Sequence, residues 1–327
     1  MIKPIFLLGS HKSGTSLLRA LFDNHSQVFS IPIETHFAHF LGWWTRYPFL
    51  RTKKKNYSLE EFENNASKWI HTCNTSNDPY GDSQASGLFD ETLFKEEMGK
   101  LNSNSSEMTK IDQYFRSIYS VINKKAAPED LRFIEKTVEN SEHAIRIASL
   151  YPDAKFIHIL RNPYANLVTL RRYLQKMKKS YPHLDSLIKS IYDSFYFADF
   201  NSTNIENYKI IYYKDLVTNP QKIMKDLALF VEIDFEENLL TPSYLGSSWG
   251  GNSVSGNKFK GVSSARINAW KKDINSLEIE VVNAVMGVAI ERNDYKKIKA
   301  KNRILIPQKR EYFRAYLGNR ILLKRPF

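Results

Sequence analysis

The sequence predicts a three-layer α/β fold, a central parallel sheet flanked by helices. Three observations carry that expectation. Residues 4–8, PIFLL, are a continuous apolar run closing on Gly9, the pattern of a strand buried on both faces. Three more strand-forming runs follow at 131–135 (LRFIE), 155–160 (KFIHIL) and 208–213 (YKIIYY). Segments with helical spacing separate them, and strands alternating with helices build a parallel sheet covered on both sides.

The elements come in order. After Gly9, residues 14–25 place Leu17, Leu18, Leu21 and Phe22 at helical spacing. The stretch 51–130 is polar, with KKK at 53–55 and LNSNSSEMTK at 101–110, and reads as helices joined by loops. Helices are expected at 141–150, at 163–179 and on to about 200, and at 219–231. Residues 241–264 are rich in Gly, Ser and Asn and read as loop, with helices resuming near Ile267 and Leu277. The last thirty residues intersperse Tyr312, Phe313, Tyr316 and Leu317 with arginines, as a basic amphipathic helix would.

Composition narrows the function. With 42% hydrophobic residues among 327, the chain can bury one large core. The single cysteine, Cys73, excludes a disulfide framework or a cysteine-rich metal site and fits a reducing compartment. No basic-then-apolar signal segment precedes the first strand and no apolar run has spanning length, so a cytoplasmic protein is expected. The net charge is +12, but residues 296–327 hold eleven Lys or Arg against the single Glu311. That tail carries +10 and leaves +2 to residues 1–295. The chain divides into a main domain, 1–295, and a basic tail, 296–327. A nearly neutral body argues against nucleic acid as a partner, whereas the tail suits an anionic membrane surface. Packing of its aromatics on the body is the alternative.

The segment GSHKSGTSLLR, residues 9–19, follows the first strand and opens the first helix. Unpaired backbone N–H groups and the helix dipole make such a junction an anion site. Lys12 adds a charge, and Ser13, Thr15 and Ser16 add hydroxyls around Gly14. The spacing Gly9-x4-Gly14 matches the first half of an ATP-binding P-loop, but Thr15-Ser16 stand where that motif needs Lys-Ser/Thr. After the strand KFIHIL comes Arg161, where a magnesium-binding carboxylate would sit, with Thr169 eight residues on. Arginine there suggests a second phosphate. A nucleotide kinase is thus the weaker alternative, as is a non-enzymatic binder acting through the tail.

Together these segments resemble the sulfotransferases that use 3′-phosphoadenosine-5′-phosphosulfate. PIFLLGSHKSGTSLLR is similar to their 5′-phosphosulfate loop, and KFIHILRNPYANLVT to their 3′-phosphate element, with Thr169 for the usual Ser. YYKDLVTNP at 212–220 is similar to their next strand end, with Lys214 where the family has an acid. The three elements cover about 220 residues in the family's order. The resemblance implies a P-loop-like fold, that donor as co-substrate and no metal. It assigns donor binding to Lys12, Ser13, Gly14, Thr15, Ser16, Arg161, Thr169 and Tyr213. GVSSARINAW at 261–270 resembles the segment that closes over the donor, which brings in Ser263, Ser264 and Arg266. Capping by the serines is an equal alternative.

Beyond the loop the likeness is to tyrosylprotein sulfotransferases and their bacterial relatives. Their Glu-Thr pair falls on Glu34-Thr35, with Glu34 as general base, and their strand-end lysine on Lys136. Lys12 matches the loop cation that faces the transferring group. The family's Arg after Glu-Thr is His36 here, and its Asn/Asp-Lys-x-Pro is Glu-Lys-Thr-Val, so the likeness carries the chemistry and not the protein-substrate contacts. His36 is the alternative base. The acceptor is expected to bear a hydroxyl, on a small molecule, saccharide, lipid or tyrosyl peptide. Trp43, Trp44, Tyr47 and Trp249 are candidates to stack on it, or to pack in core and lid.

Overall fold

The computed structural model describes residues 2–46, 57–76, 85–178, 181–252, 256, 258, 260–293 and 295–300. Tyr47 and the expected helix of the basic tail lie outside them. Strand β1 (Ile5–Gly9) is buried throughout and pairs in parallel with both β3 (Arg132–Glu135) and β4 (Lys155–Leu160). Strand β2 (Val28–Ser30) extends the sheet beyond β3, and β5 (Tyr208–Tyr212) beyond β4. The order is β2-β3-β1-β4-β5, all parallel.

Successive side chains of β1 point to opposite faces, and both faces are covered. Ile5 and Leu7 join a core with Leu18, Leu21 and Phe22 of α1 (Thr15–Phe22) and Met224 and Leu227 of α10 (Pro220–Phe230). Phe6 and Leu8 face a larger core, where Phe6 stacks on Phe156 at 5.4 Å. There α2 (Phe37–Phe40), α3 (Leu59–Thr75), α4 (Glu91–Met98), α5 (Glu107–Asn123) and α6 (Ala144–Leu150) contribute. Among them, α3, α4 and α5 are the helices expected within the polar stretch. A third core joins α7 (Pro163–Lys178), α8 (Leu184–Asn204) and α11 (Ser276–Arg292). Arg171 Nε donates to the wholly buried Glu278 Oε1 at 2.7 Å, which locks α7 to α11.

Four differences from the sequence expectation have local causes. The sheet has five strands, not four, because β2 is too short for periodicity to reveal. The loop 241–264 contains a hairpin, β6 (Ser243–Tyr244) with β7 (Ser247–Ser248), turning through Leu245 and Gly246, both at positive φ. The helix expected at 219–231 is preceded by α9 (Tyr213–Thr218), with Asn219 between them and Pro220 opening α10, because proline has no N–H to continue a helix. Near Ile267 there is only a 3-10 turn, Ala269–Lys272.

The topology places the chemistry. All five strands run the same way, so their C-terminal ends lie along one edge, with β1 at the point where the chain switches sides of the sheet. Ligands of open α/β sheets bind outside that edge. The residues singled out in the sequence follow these ends directly: Lys12 after β1, Glu34 after β2, Lys136 after β3, Arg161 after β4 and Tyr213 after β5.

Candidate active site

A cavity of about 1160 Å³ opens at this edge. Its walls include Lys12, Gly14, Thr15, Ser16, Glu34, Lys136, Arg161, Thr169, Tyr213, Ser263 and Arg266. Eleven residues expected at the site from dispersed segments thus meet in one space. Two others do not line it. Ser13 is wholly buried, with a hydroxyl that has no partner, so only its backbone belongs to the turn. Ser264 is exposed outside the walls, where its carbonyl accepts from Ile267 N.

The loop has the backbone that an anion cradle needs. Lys12 adopts φ 63° and Gly14 φ 117°, and Gly14 caps α1. A methyl group on Gly14 would lie 2.5 Å from Tyr213 Cδ2, so glycine is required for both conformation and space. The N–H groups of the first helical turn have no helical partners, and Thr15, Ser16 and Leu17 of that turn line the cavity. Ser16 Oγ accepts from Asn252 at 3.3 Å. Lys12 Nζ lies over the Tyr173 ring, 4.4 Å from its centre.

Arg161 reaches under the loop. Its Nη1 donates to Lys12 O at 2.7 Å, its guanidinium lies over Tyr213 at 4.8 Å, and its buried Nε has no hydrogen-bond partner. Thr169 donates its hydroxyl to Ala165 O at 2.8 Å, one turn back in α7, and keeps its lone pairs for the cavity. The closing segment 261–270 is held by Trp270, which stacks on Tyr164 at 5.7 Å. Within it, Ser263 Oγ accepts from Ala265 N at 3.4 Å, a local turn contact consistent with the capping alternative.

Glu34 and Lys136 are 102 residues apart and form a hydrogen-bonded ion pair on the cavity wall. Lys136 is almost wholly buried. His36 Nε2 stands 3.8 Å from the other Glu34 oxygen, and the Glu34 carbonyl accepts from Trp69 Nε1 at 2.6 Å. Burial works against the Glu34 carboxylate, but Lys136, His36 and His11 outweigh it and hold its pKa down to about 2. Beneath, the buried Glu135 accepts from Thr35, Thr137 and Asn140 and fixes the Glu34 segment to the end of β3. Glu34, His36 and Glu139 bring three ligand atoms within 4.8 Å of one another. With the Lys136 ammonium already on Glu34, this arrangement is an ion-pair network.

Several contributors escaped the sequence reading. Asn166 in α7 meets Ser10 Oγ at 2.6 Å, and with its amide turned its nitrogen donates to Lys12 O at 3.0 Å and His11 O at 3.2 Å. Its place within RNPYANLVT was the available signal. Trp69 and Tyr173 line the cavity from helices whose faces the sequence does not orient. Of the candidate acceptor aromatics, Trp249 lines the cavity, Trp43 is core, and Trp44 is exposed and not part of its walls.

The fold has a counterpart among solved structures. A sulfotransferase domain from the curacin biosynthetic pathway matches at TM-score 0.58 and 17% identity, covering 91% of this chain and 99% of that one. A sulfotransferase domain from the Synechococcus PCC 7002 olefin synthase follows at 0.49 and 20%, covering 83% and 88%. No curated protein sequence matches. The sequence model of the sulfotransferase family aligns with residues 4–237, from β1 through the strand-end residues to the turn after α10. That span is most of the chain and takes in the loop 9–16, the Glu34–Lys136 pair, Arg161 and Tyr213, and the chain therefore belongs to the sulfotransferase family.

Proposed function

We propose that the chain moves a sulfuryl group from 3′-phosphoadenosine-5′-phosphosulfate to an acceptor hydroxyl, with Glu34 as general base. The observation that supports this reading is the meeting, in one cavity, of the Lys12–Ser16 loop, the Arg161 guanidinium and the Glu34–Lys136 ion pair. The loop 12–16 suits the 5′-phosphosulfate, with Arg161 and Thr169 suited to the 3′-phosphate. The cradle fits such a donor: Gly14 leaves room no larger residue would, and the buried Nε of Arg161 lacks a partner. Tyr213, Ser263 and Arg266 are assigned to the donor side. Of Ser13 the backbone alone serves, and Ser264 is left out. The donor supplies the activated sulfur–oxygen bond.

The chain's residues position and balance charge. Glu34 takes the acceptor's proton. While Lys136 holds it at a pKa of about 2 it is a weak base. An ammonium drawn from Glu34 toward the charge developing on the leaving phosphate raises the carboxylate's proton affinity when the proton must move. Lys12 and Lys136 provide the positive charge that a magnesium ion provides in kinases, so the proposed reaction runs without metal. His36 is the second candidate for the base, supported by its position 3.8 Å from Glu34. The acceptor is a hydroxyl compound, and Trp249 and Trp69 are the aromatics available to it.

We assign the reaction to residues 1–295, with 296–327 as a peripheral appendage for anionic membranes. Among the described residues no helix is long and apolar enough to cross a membrane. Cytoplasmic residence and the absence of nucleic-acid partners remain part of the proposal. Thermal shift tests it. 3′,5′-Adenosine bisphosphate should raise the melting temperature equally with and without EDTA, and ATP–magnesium much less. Equal stabilisation by both, or an EDTA-sensitive response, overturns the donor assignment.

A further inference from the structure

The phosphate loop carries a side chain that the proposed reaction leaves unused. His11, between Ser10 and Lys12, lines the cavity and points its Nε2 at Glu139 Oε1, 3.4 Å away. Glu139 lies on the 3-10 turn Val138–Glu142, just beyond Lys136, and is 5% exposed. Its other oxygen is buried with no hydrogen-bond partner. A carboxylate so buried is costly unless a cation accompanies it, and His11 is placed to be that cation.

The charged groups around His11 come from every strand end nearby. Glu139 and Lys136 follow β3, Glu34 and His36 follow β2, and Lys12 is its neighbour in the loop. Burial disfavours the imidazolium and Lys136 repels it, yet Glu139 and Glu34 prevail and raise its pKa above 6.5. Glu139 is lowered in return, His11 outweighing burial.

We propose that His11, fixed by Glu139, is a catalytic residue that presents an imidazolium to the sulfuryl group in transit, as a third cation beside Lys12 and Lys136. The inference rests on the sulfotransferase reading. Its ground is position: the group in transit must pass between the loop and Glu34, and His11 stands on that loop, lines the same cavity as Glu34, and pairs with Glu139, whose carboxylate lies within 4.8 Å of that of Glu34. Lys136 is already committed to Glu34, and Lys12 lies over Tyr173. His11 exchanges no proton with the reactants. The new bond forms between acceptor oxygen and sulfur as the bond from sulfur to the phosphate oxygen breaks, the hydroxyl proton goes to Glu34, and the imidazolium N–H only donates a hydrogen bond.

The test is the alkaline limb of the kcat profile, read together with an imidazole NMR titration. Activity should fall as pH rises through the His11 pKa. Glu139→Gln removes the carboxylate that raises that pKa, so the limb and the NMR transition should both move to lower pH. His11→Gln should lower kcat by roughly 10²-fold, the scale of losing one preorganised donor. His11→Lys, which stays charged through this range, should recover much of that rate and abolish the limb. A limb unmoved by Glu139→Gln, or His11→Gln at wild-type kcat, overturns the proposal. Should wild-type protein transfer no sulfuryl group, the underlying reading fails instead. The NMR titration then still judges the dyad: a His11 transition at or below pH 6.5, unchanged by Glu139→Gln, refutes it.

Discussion

Replacement of Arg161 by alanine separates two tasks that the structure gives one side chain. The guanidinium donates to Lys12 O at 2.7 Å and so anchors the loop, and its unpartnered Nε is free for a ligand oxygen. A hydrogen bond from a charged group contributes about 1.5–3 kcal/mol, equivalent to roughly 10- to 150-fold in Kd. If Arg161 reads the 3′-phosphate, Arg161→Ala should weaken 3′,5′-adenosine bisphosphate by that factor and adenosine 5′-phosphate by much less, since the latter has no 3′-phosphate to lose. Calorimetric titration of both ligands against both proteins measures the difference. An equal loss for the two would mean that Arg161 only braces the loop, and the assignment of the 3′-phosphate to this end of the cavity would be refuted.

Three further outcomes are expected. Gly14→Ala places a methyl 2.5 Å from Tyr213 Cδ2 at φ 117°, so binding of 3′,5′-adenosine bisphosphate should be lost, by calorimetry, in a protein whose circular dichroism is unchanged. Buried His158, between Tyr208 and Ser194, and His143 are held neutral, mainly by burial, with pKa values down to about 3 and about 4. The unfolded chain takes up those protons below about pH 6.5, so stability should fall as pH drops from 6.5 toward 4, by at most about 1.4 kcal/mol per unit for each histidine. The Glu34 contribution, with its lowered pKa, is lost only below about 4.5. A flat melting temperature between pH 6.5 and 4 contradicts the histidine account. Removal of residues 303–327 should leave binding of 3′,5′-adenosine bisphosphate intact and reduce co-sedimentation with anionic vesicles, each basic side chain contributing about 1 kcal/mol. Unfolding on truncation would assign the tail to the core instead.

What the sequence discloses of this site is what is local. PIFLL running into GSHKSGTS announces strand, turn and helix within twenty residues, and Arg161 follows its strand by one position. Contacts across the sheet are a different matter. Glu34 and Lys136 meet only because β2 and β3 are neighbours, and β2 is three residues long. Without the family resemblance nothing in the sequence joins them. The His11–Glu139 pair, like the contact of Asn166 with the loop, depends on strand order, which periodicity does not encode. Residue type also misleads about direction. Ser13 and Ser264 share the hydroxyl chemistry of their neighbours, yet one is wholly buried and the other exposed, and neither lines the cavity.

The most direct test of the central claim is transfer itself. Radiolabelled 3′-phosphoadenosine-5′-phosphosulfate is incubated with wild-type protein, with Glu34→Gln, and with a panel of phenols, saccharides, hydroxy-lipids and tyrosyl peptides. Label should move to one acceptor class with EDTA present. Glu34→Gln should transfer it about 10²–10⁴-fold more slowly, the range for loss of a general base, while binding 3′,5′-adenosine bisphosphate as tightly as wild type. Transfer by Glu34→Gln at the wild-type rate, or label that reaches no acceptor class from a protein that binds the bisphosphate, would contradict the account.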